Sequence, residues 1–210
     1  MERDAFLDRV RRASGSAVIP PFEAEAPLPV ELEGDLLDRW RERAAGVGVQ
    51  VHDVVTANDA REAVRGIAEA AGAGAFCAWD DEEMPVHGIG PYLAIAGLIE
   101  HVVEGATVGS LAPVDLGLTS AEALLAETGS LVLTTGPGRP RLASVIGAVH
   151  VAVVPTDRVL PSLRSWLDDT VGADTANTVV ITGPSRTADI EGVLVRGVHG
   201  PGEVHVVLVG

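Results

Sequence analysis

Two apolar runs in the last third of the chain, residues 131–133 and 179–181, each end in a loop of hydroxyl, glycine and proline residues. Thr134, Thr135, Gly136, Pro137, Gly138 and Arg139 follow the first, and Thr182, Gly183, Pro184, Ser185, Arg186 and Thr187 follow the second. A third turn, Gly197, Val198, His199, Gly200, Pro201 and Gly202, comes soon after. A β-branched run that stops at Gly, Ser and Thr and then enters a helical pattern gathers backbone N–H groups, hydroxyls and a helix N-terminus at the carboxyl end of a strand. Open α/β sheets bind ligands there, most often anions. Both loops are therefore expected to open at the same sheet edge and to share one anion.

The titratable groups near these loops add to that reading. Residues 66–138 contain ten Asp or Glu and no Lys or Arg, and the first cations beyond the gap are Arg139 and Arg141, directly behind Gly138. They are either ordinary surface arginines after a turn or guanidinium groups placed to grip a carboxylate or phosphate bidentately. Glu127 is read at the end of a helix over residues 120–126, where the helix dipole disfavours a carboxylate. It either bonds the N–H groups of the following turn or stands near a ligand with a raised pKa, suited to work as base or nucleophile. Ser185 and Thr187 would offer hydroxyls at the start of a short helix carrying Asp189 and Glu191, an arrangement that serves equally as a cap. His199, set between Gly197 and Gly200, is the histidine best placed to reach a pocket, whereas His150 and His205 lie in strand patterns.

The elements that must hold these residues alternate. Residues 1–12 and 35–45 read as helices separated by a proline-rich acidic stretch, together an N-terminal helical arm over 1–48. From residue 49 onward, strands are expected at 49–55, 75–79, 99–103, 114–118, 130–133, 150–154, 178–181 and 204–209. Helices are expected at 60–71, 91–97, 120–126, 141–147 and 158–171. The run Asp80 to Glu83 reads as a solvated loop. Strands alternating with helices of this length predict a three-layer, Rossmann-like α/β domain over 49–210 with a mainly parallel sheet.

Composition narrows the function classes. At 210 residues and 47% hydrophobic the chain can bury one substantial core. Neither a membrane span nor a signal peptide is read, which leads to the expectation of a cytoplasmic protein. A net charge of −15 with no lysine argues against nucleic acid as a partner. A single cysteine, Cys77, provides no internal disulfide and no cradle for zinc or an iron–sulfur cluster. The histidines lack metal-ligand spacing, so no metal site is expected, and neither a P-loop nor a Gly-x-Gly-x-x-Gly fingerprint occurs.

Taken together, Glu127, Thr128, Gly129, Ser130, Leu131 and Val132, then Gly136 to Gly138, Gly183 to Glu191 and Gly197 to Pro201, closely resemble in order and spacing the motifs of the lactate-utilisation protein C family, the LUD-domain proteins. The resemblance runs from about residue 49 to the C-terminus and is strongest over 117–209; Ser130 stands where Thr is commoner. It implies a fold like that of the CoA-transferase, ribose-phosphate isomerase and formyltetrahydrofolate cyclo-ligase superfamily. It also implies a part in oxidising L-lactate to pyruvate beside partner subunits that carry the iron–sulfur clusters. On this reading Glu127, His199 and Asp189 are the candidate catalytic residues. Thr128, Gly129, Gly136, Pro137, Gly138, Arg139, Gly183, Pro184, Ser185, Thr187 and Gly200 are the candidates for binding a small anion. The alternatives are a free-standing enzyme acting on an acyl-CoA, sugar phosphate or folate-like substrate, and a non-catalytic regulatory subunit.

Overall fold

A computed structural model describes residues 3–15, 32–170, 177–187 and 195–210. Helix α1 (Arg3–Gly15) buries no residue. Helix α2 (Leu36–Val47) starts at Asp35, whose carboxylate accepts the Asp38 N–H, and it seats Trp40 and Ala44 in the core. Strand β1 (Val49–Val54) leads to α3 (Ala57–Ala70), which opens on a reciprocal capping box between Thr56 and Asp59. The apolar face expected of α3 is the one it buries, through Ala60, Val64, Ile67 and Ala68.

Strand β2 (Ala75–Ala78), helix α4 (Ile89–Ile95), strand β3 (Ile99–Glu100), the short helix α5 (Val108–Leu111) and strand β4 (Leu116–Thr119) follow. Next come β5 (Ala123–Leu125), β6 (Ser130–Thr135), β7 (Val149–Pro155), β8 (Val159–Leu160), helix α6 (Leu163–Thr170) and β9 (Asn177–Ile181). The chain closes with β10 (Arg186–Thr187), β11 (Val195–Arg196) and β12 (Glu203–Val209). Six strands form one all-parallel sheet in the order β1-β12-β7-β4-β2-β3, and the α/β class expected from the alternation is the one observed. A second sheet, β8-β5-β6-β9, is mixed, with β6 antiparallel to both β5 and β9.

The two faces of the main sheet are covered differently. Phe76 and Gly117 lie on opposite faces, because Phe76 pairs with Leu116 and side chains alternate along a strand. Helix α4 packs on the Phe76 face, where Gly90 abuts the Phe76 ring, and α3 lies beside α4 with Glu62 bonded to the Tyr92 hydroxyl. On the Gly117 face a 3-10 turn, Arg141–Ser144, comes so close that a Cβ at Gly117 would stand 1.8 Å from the Ala143 carbonyl oxygen. Only glycine fits there.

Three expected helices are replaced. Residues 123–125 form β5, fully buried on both sides, and a short buried apolar run has no periodicity that tells strand from helix. The helix expected over 158–171 is divided by Pro161, with β8 before it and α6 after it. The helix expected over 141–147 shrinks to the 3-10 turn. Strand β3 is shorter than expected, and the proline-rich stretch lies outside the described residues apart from its last few positions.

Two polar groups in the core are held in their neutral forms. His150 on β7 is fully buried with Nε2 2.9 Å from the Thr119 hydroxyl, and burial, helped by the nearby His205, pushes its pKa down to about 4. The Cys77 thiol on β2 is pushed up to about 11, first by burial and then by the Glu100 carboxylate.

Candidate functional site

The turn between β5 and β6 is made by residues 126–129 and is anchored at both ends. The Ala126 and Glu127 N–H groups donate to the Leu160 and Pro161 carbonyls, each at 2.9 Å, and the Gly129 N–H donates to the Leu125 carbonyl at 2.8 Å. Gly129 has φ +71°, and a Cβ there would lie 2.3 Å from the Ala44 nitrogen of α2. The hairpin tip therefore sits directly on the α2 backbone, and the Trp40 indole N–H donating to the Ser130 carbonyl at 3.1 Å reinforces the contact.

The antiparallel register that pairs Leu131 with Ile181 brings Ser130 beside Thr182. The result is a chain of hydroxyls, with Thr128 Oγ1 2.7 Å from Ser130 Oγ and Ser130 Oγ 2.8 Å from Thr182 Oγ1. The following loop closes on the third one: the Ser185 N–H donates to the Pro201 carbonyl at 2.8 Å, and the Gly197 N–H donates to the Ser185 carbonyl at 3.0 Å. Gly200 lies against Ser185, where a Cβ would meet the Ser185 Cβ at 3.4 Å. Thus Thr128, Gly129, Gly183, Pro184, Ser185 and Gly200, expected to act together, belong to loops that the fold brings together.

Next to Ser185, β10 and β11 pair antiparallel, with Arg186 directly opposite Arg196 and Thr187 opposite Val195. Both arginines are exposed. Arg186 donates to the Val47 carbonyl at 2.6 Å, and among the described residues neither guanidinium meets a carboxylate. Like charges facing each other across a strand pair repel. An anion between them would turn that repulsion into a bidentate grip. Sequence reading did not single out Arg196, because the pairing that sets it against Arg186 spans an intervening segment and leaves no local pattern.

The glycine-proline loops do not open together. The loop around Ser185 lies at the amino edge of the main sheet, against Val47 before β1 and Pro201 before β12. The Gly136, Pro137 and Gly138 loop lies at the carboxyl edge, where the Asp80 N–H donates to the Gly138 carbonyl at 2.8 Å. The cause is the antiparallel pairing of β6 with β9, which sends the loops after them out of opposite ends of the small sheet. A single anion shared by both loops is therefore ruled out by topology. Arg139 is also engaged, at 2.5 Å from Glu122 and 3.4 Å from Glu83, with the Thr134 hydroxyl at 3.1 Å.

Behind the first loop the expected helix is a single 3-10 turn over residues 141–144, and after the second loop residues 186–187 are strand, while the helix expected to carry Asp189 lies outside the described residues. Glu127 is exposed in the hairpin turn and not buried at a helix end, so the dipole argument for it falls with the helix. His199 is exposed on the loop that carries Gly200. Asp189 and Glu191 lie outside the described residues. Among the described residues, no group of three or more His, Cys, Asp or Glu is arranged to hold a metal, and no helix is long and apolar enough to cross a membrane.

Comparison with known proteins places these loops in a family context. The model of the LUD domain matches residues 37–209, a span that begins within α2 and includes all three loops. The chain is 28% identical over 176 residues to lactate utilization protein C of Macrococcus caseolyticus, covering 80% of this chain and 75% of that one. It is 27% identical over 222 residues to lactate utilization protein C of Geobacillus sp., covering 95% and 92%. Among solved structures, a DUF162 family protein from Deinococcus radiodurans shares the fold with a TM-score of 0.58 at 21% identity, over 83% of this chain and 96% of that one.

Proposed function

The chain belongs to the LUD-domain family, and on that premise we propose that it is the cluster-free component of an L-lactate oxidation system. We infer further that it binds a small anion at the loops around Arg186 and Arg196. The relatives named lactate utilization protein C support the role in lactate utilisation. The observation that carries the binding site is the facing pair of exposed arginines, which meets no carboxylate among the described residues and adjoins loops rich in hydroxyls and backbone N–H groups.

Lactate is an α-hydroxy carboxylate, so it asks a site for two things. The guanidinium groups of Arg186 and Arg196 take the carboxylate, and the hydroxyls of Thr128 and Thr182, held in line by Ser130, exchange hydrogen bonds with the substrate hydroxyl. Oxidation to pyruvate removes two electrons. With Cys77 alone this chain cannot ligate an iron–sulfur cluster, so on this reading the electron acceptor belongs to partner subunits that carry the clusters.

The test is a titration of the purified chain with sodium L-lactate, followed by backbone amide shifts. Saturable shifts at residues 182–187 and 195–200 that disappear in Arg196→Gln are expected. Absence of shifts there at millimolar lactate would overturn the site.

A further inference from the structure

The opposite edge of the main sheet carries a surface of the reverse charge. A cleft of about 670 Å³ opens at the carboxyl ends of β2, β3 and β4. Trp79, Met84 and Leu118 form apolar walls, and Asp81, Glu82 and Glu104 stand around them as carboxylates. The Gly136, Pro137 and Gly138 turn closes one side. No Lys or Arg occurs between residues 66 and 138, and the nearest cation in sequence, Arg139, is bound to Glu122 and Glu83. Asp81 accepts the Gly88 N–H at 2.6 Å and lies 3.4 Å from the His87 ring, whereas Glu82 and Glu104 meet no cation among the described residues, so the cleft is acidic and repels the anions that the family loops would take.

The cleft is continuous with an open sheet edge. Residues 100–104 line it and run directly on from β3, the last strand of the main sheet. On its inner side β3 is paired, with the Ile99 N–H donating to the Gly74 carbonyl at 2.9 Å and the His101 N–H to the Phe76 carbonyl at 2.8 Å. On its outer side no strand pairs with it among the described residues. Ile95, Ile99 and Val102 are 86%, 63% and 73% exposed beside that edge. An exposed strand edge flanked by large apolar side chains is a template for another strand unless charge or cover protects it.

We propose that this edge docks an extended, arginine- or lysine-bearing segment of another protein, which adds a strand to β3 and directs a basic side chain into the acidic cleft. Alternation explains the match, because successive side chains of an added strand point to opposite faces, one row lying on the face of Ile99 while the other lies on the face of Glu100 and α4, beside Ile95 and the carboxylates. A second copy of this chain is a poor occupant, because its net charge of −15 repels the acidic cleft. The surface lies at the sheet edge opposite Arg186 and Arg196, so the inference stands apart from the lactate reading.

Two blocked hexapeptides test it, one alternating Val with Arg and the other Val with Glu, each about 20 Å when extended. Each is titrated into the full chain while backbone amide shifts are recorded. The Val-Arg peptide is expected to shift residues 99–104 and the Trp79 indole. Glu100→Gln combined with Glu104→Gln should weaken it by about tenfold, and Ile99→Lys should abolish the shifts along β3. Equal binding of the Val-Glu peptide, or shifts that map away from β3, would overturn the proposal. So would reproduction of the whole pattern by argininamide alone, which would make the cleft a site for small cations and leave the strand edge without a role.

Discussion

Arg186 and Arg196 face each other across the β10–β11 pair, exposed, with no carboxylate partner among the described residues. The arrangement costs stability unless something negative occupies it, which is what the proposed anion site requires. Arg196→Gln should therefore raise the unfolding free energy measured by urea titration in low-salt buffer, by about 0.2–1 kcal/mol, while abolishing the lactate-induced amide shifts. The gain should shrink in high salt as the repulsion is screened. A variant less stable than the parent would show that Arg196 has a structural partner.

Gly129 holds the hairpin tip on α2. With φ at +71° and the Ala44 nitrogen 2.3 Å from where a Cβ would stand, Gly129→Ala meets both backbone strain and a backbone clash. A loss of about 2–4 kcal/mol is expected in urea unfolding. Because Thr128 and Ser130 move with the tip, lactate shifts at Thr182 should weaken in whatever fraction remains folded.

His150 makes stability depend on pH. Its folded pKa is lowered to about 4, while the unfolded side chain takes up its proton near the ordinary 6.5. Between those values the unfolded chain binds a proton that the folded chain refuses, so stability is complete above about pH 6.5 and declines as pH falls toward 4, by on the order of 3 kcal/mol. His52, lowered by burial and then by His205, acts in the same direction. The check is the urea midpoint measured from pH 8 to pH 4.5, with His150→Gln expected to flatten the slope.

Cys77 is predicted to be inert in the native protein. It is fully buried, and its thiol stays protonated at neutral pH because burial and then Glu100 push it up to about 11. A thiol reagent at pH 8 should label the protein only at the rate of unfolding, with full labelling in denaturant.

The sequence was most legible where an element shows its own period. The apolar stripe of α3 and the β-branched runs of β7, β9 and β12 read directly, and the loops that carry the family motifs stand out by residue type. Residues 123–125 did not read, because a strand buried on both faces resembles a buried helix, and that error carried Glu127 to the end of a helix that does not exist. Pairing direction was equally hidden. Nothing local in residues 130–135 or 177–181 says that they run antiparallel, yet that fact alone sends the two glycine-proline loops to opposite edges. The charge gap over 66–138 was visible as a count, but only the fold shows that many of its carboxylates surround one cleft.

Growth on L-lactate tests the central claim most directly. In the source organism, deletion of the gene should abolish growth with L-lactate as sole carbon source while leaving growth on glucose unchanged. The parent chain should restore it, and a chain carrying Arg186→Gln with Arg196→Gln, expressed to the same level, should not. Growth of the deletion strain on L-lactate at the parent rate would contradict the lactate role, and full rescue by the double variant would contradict the arginine site.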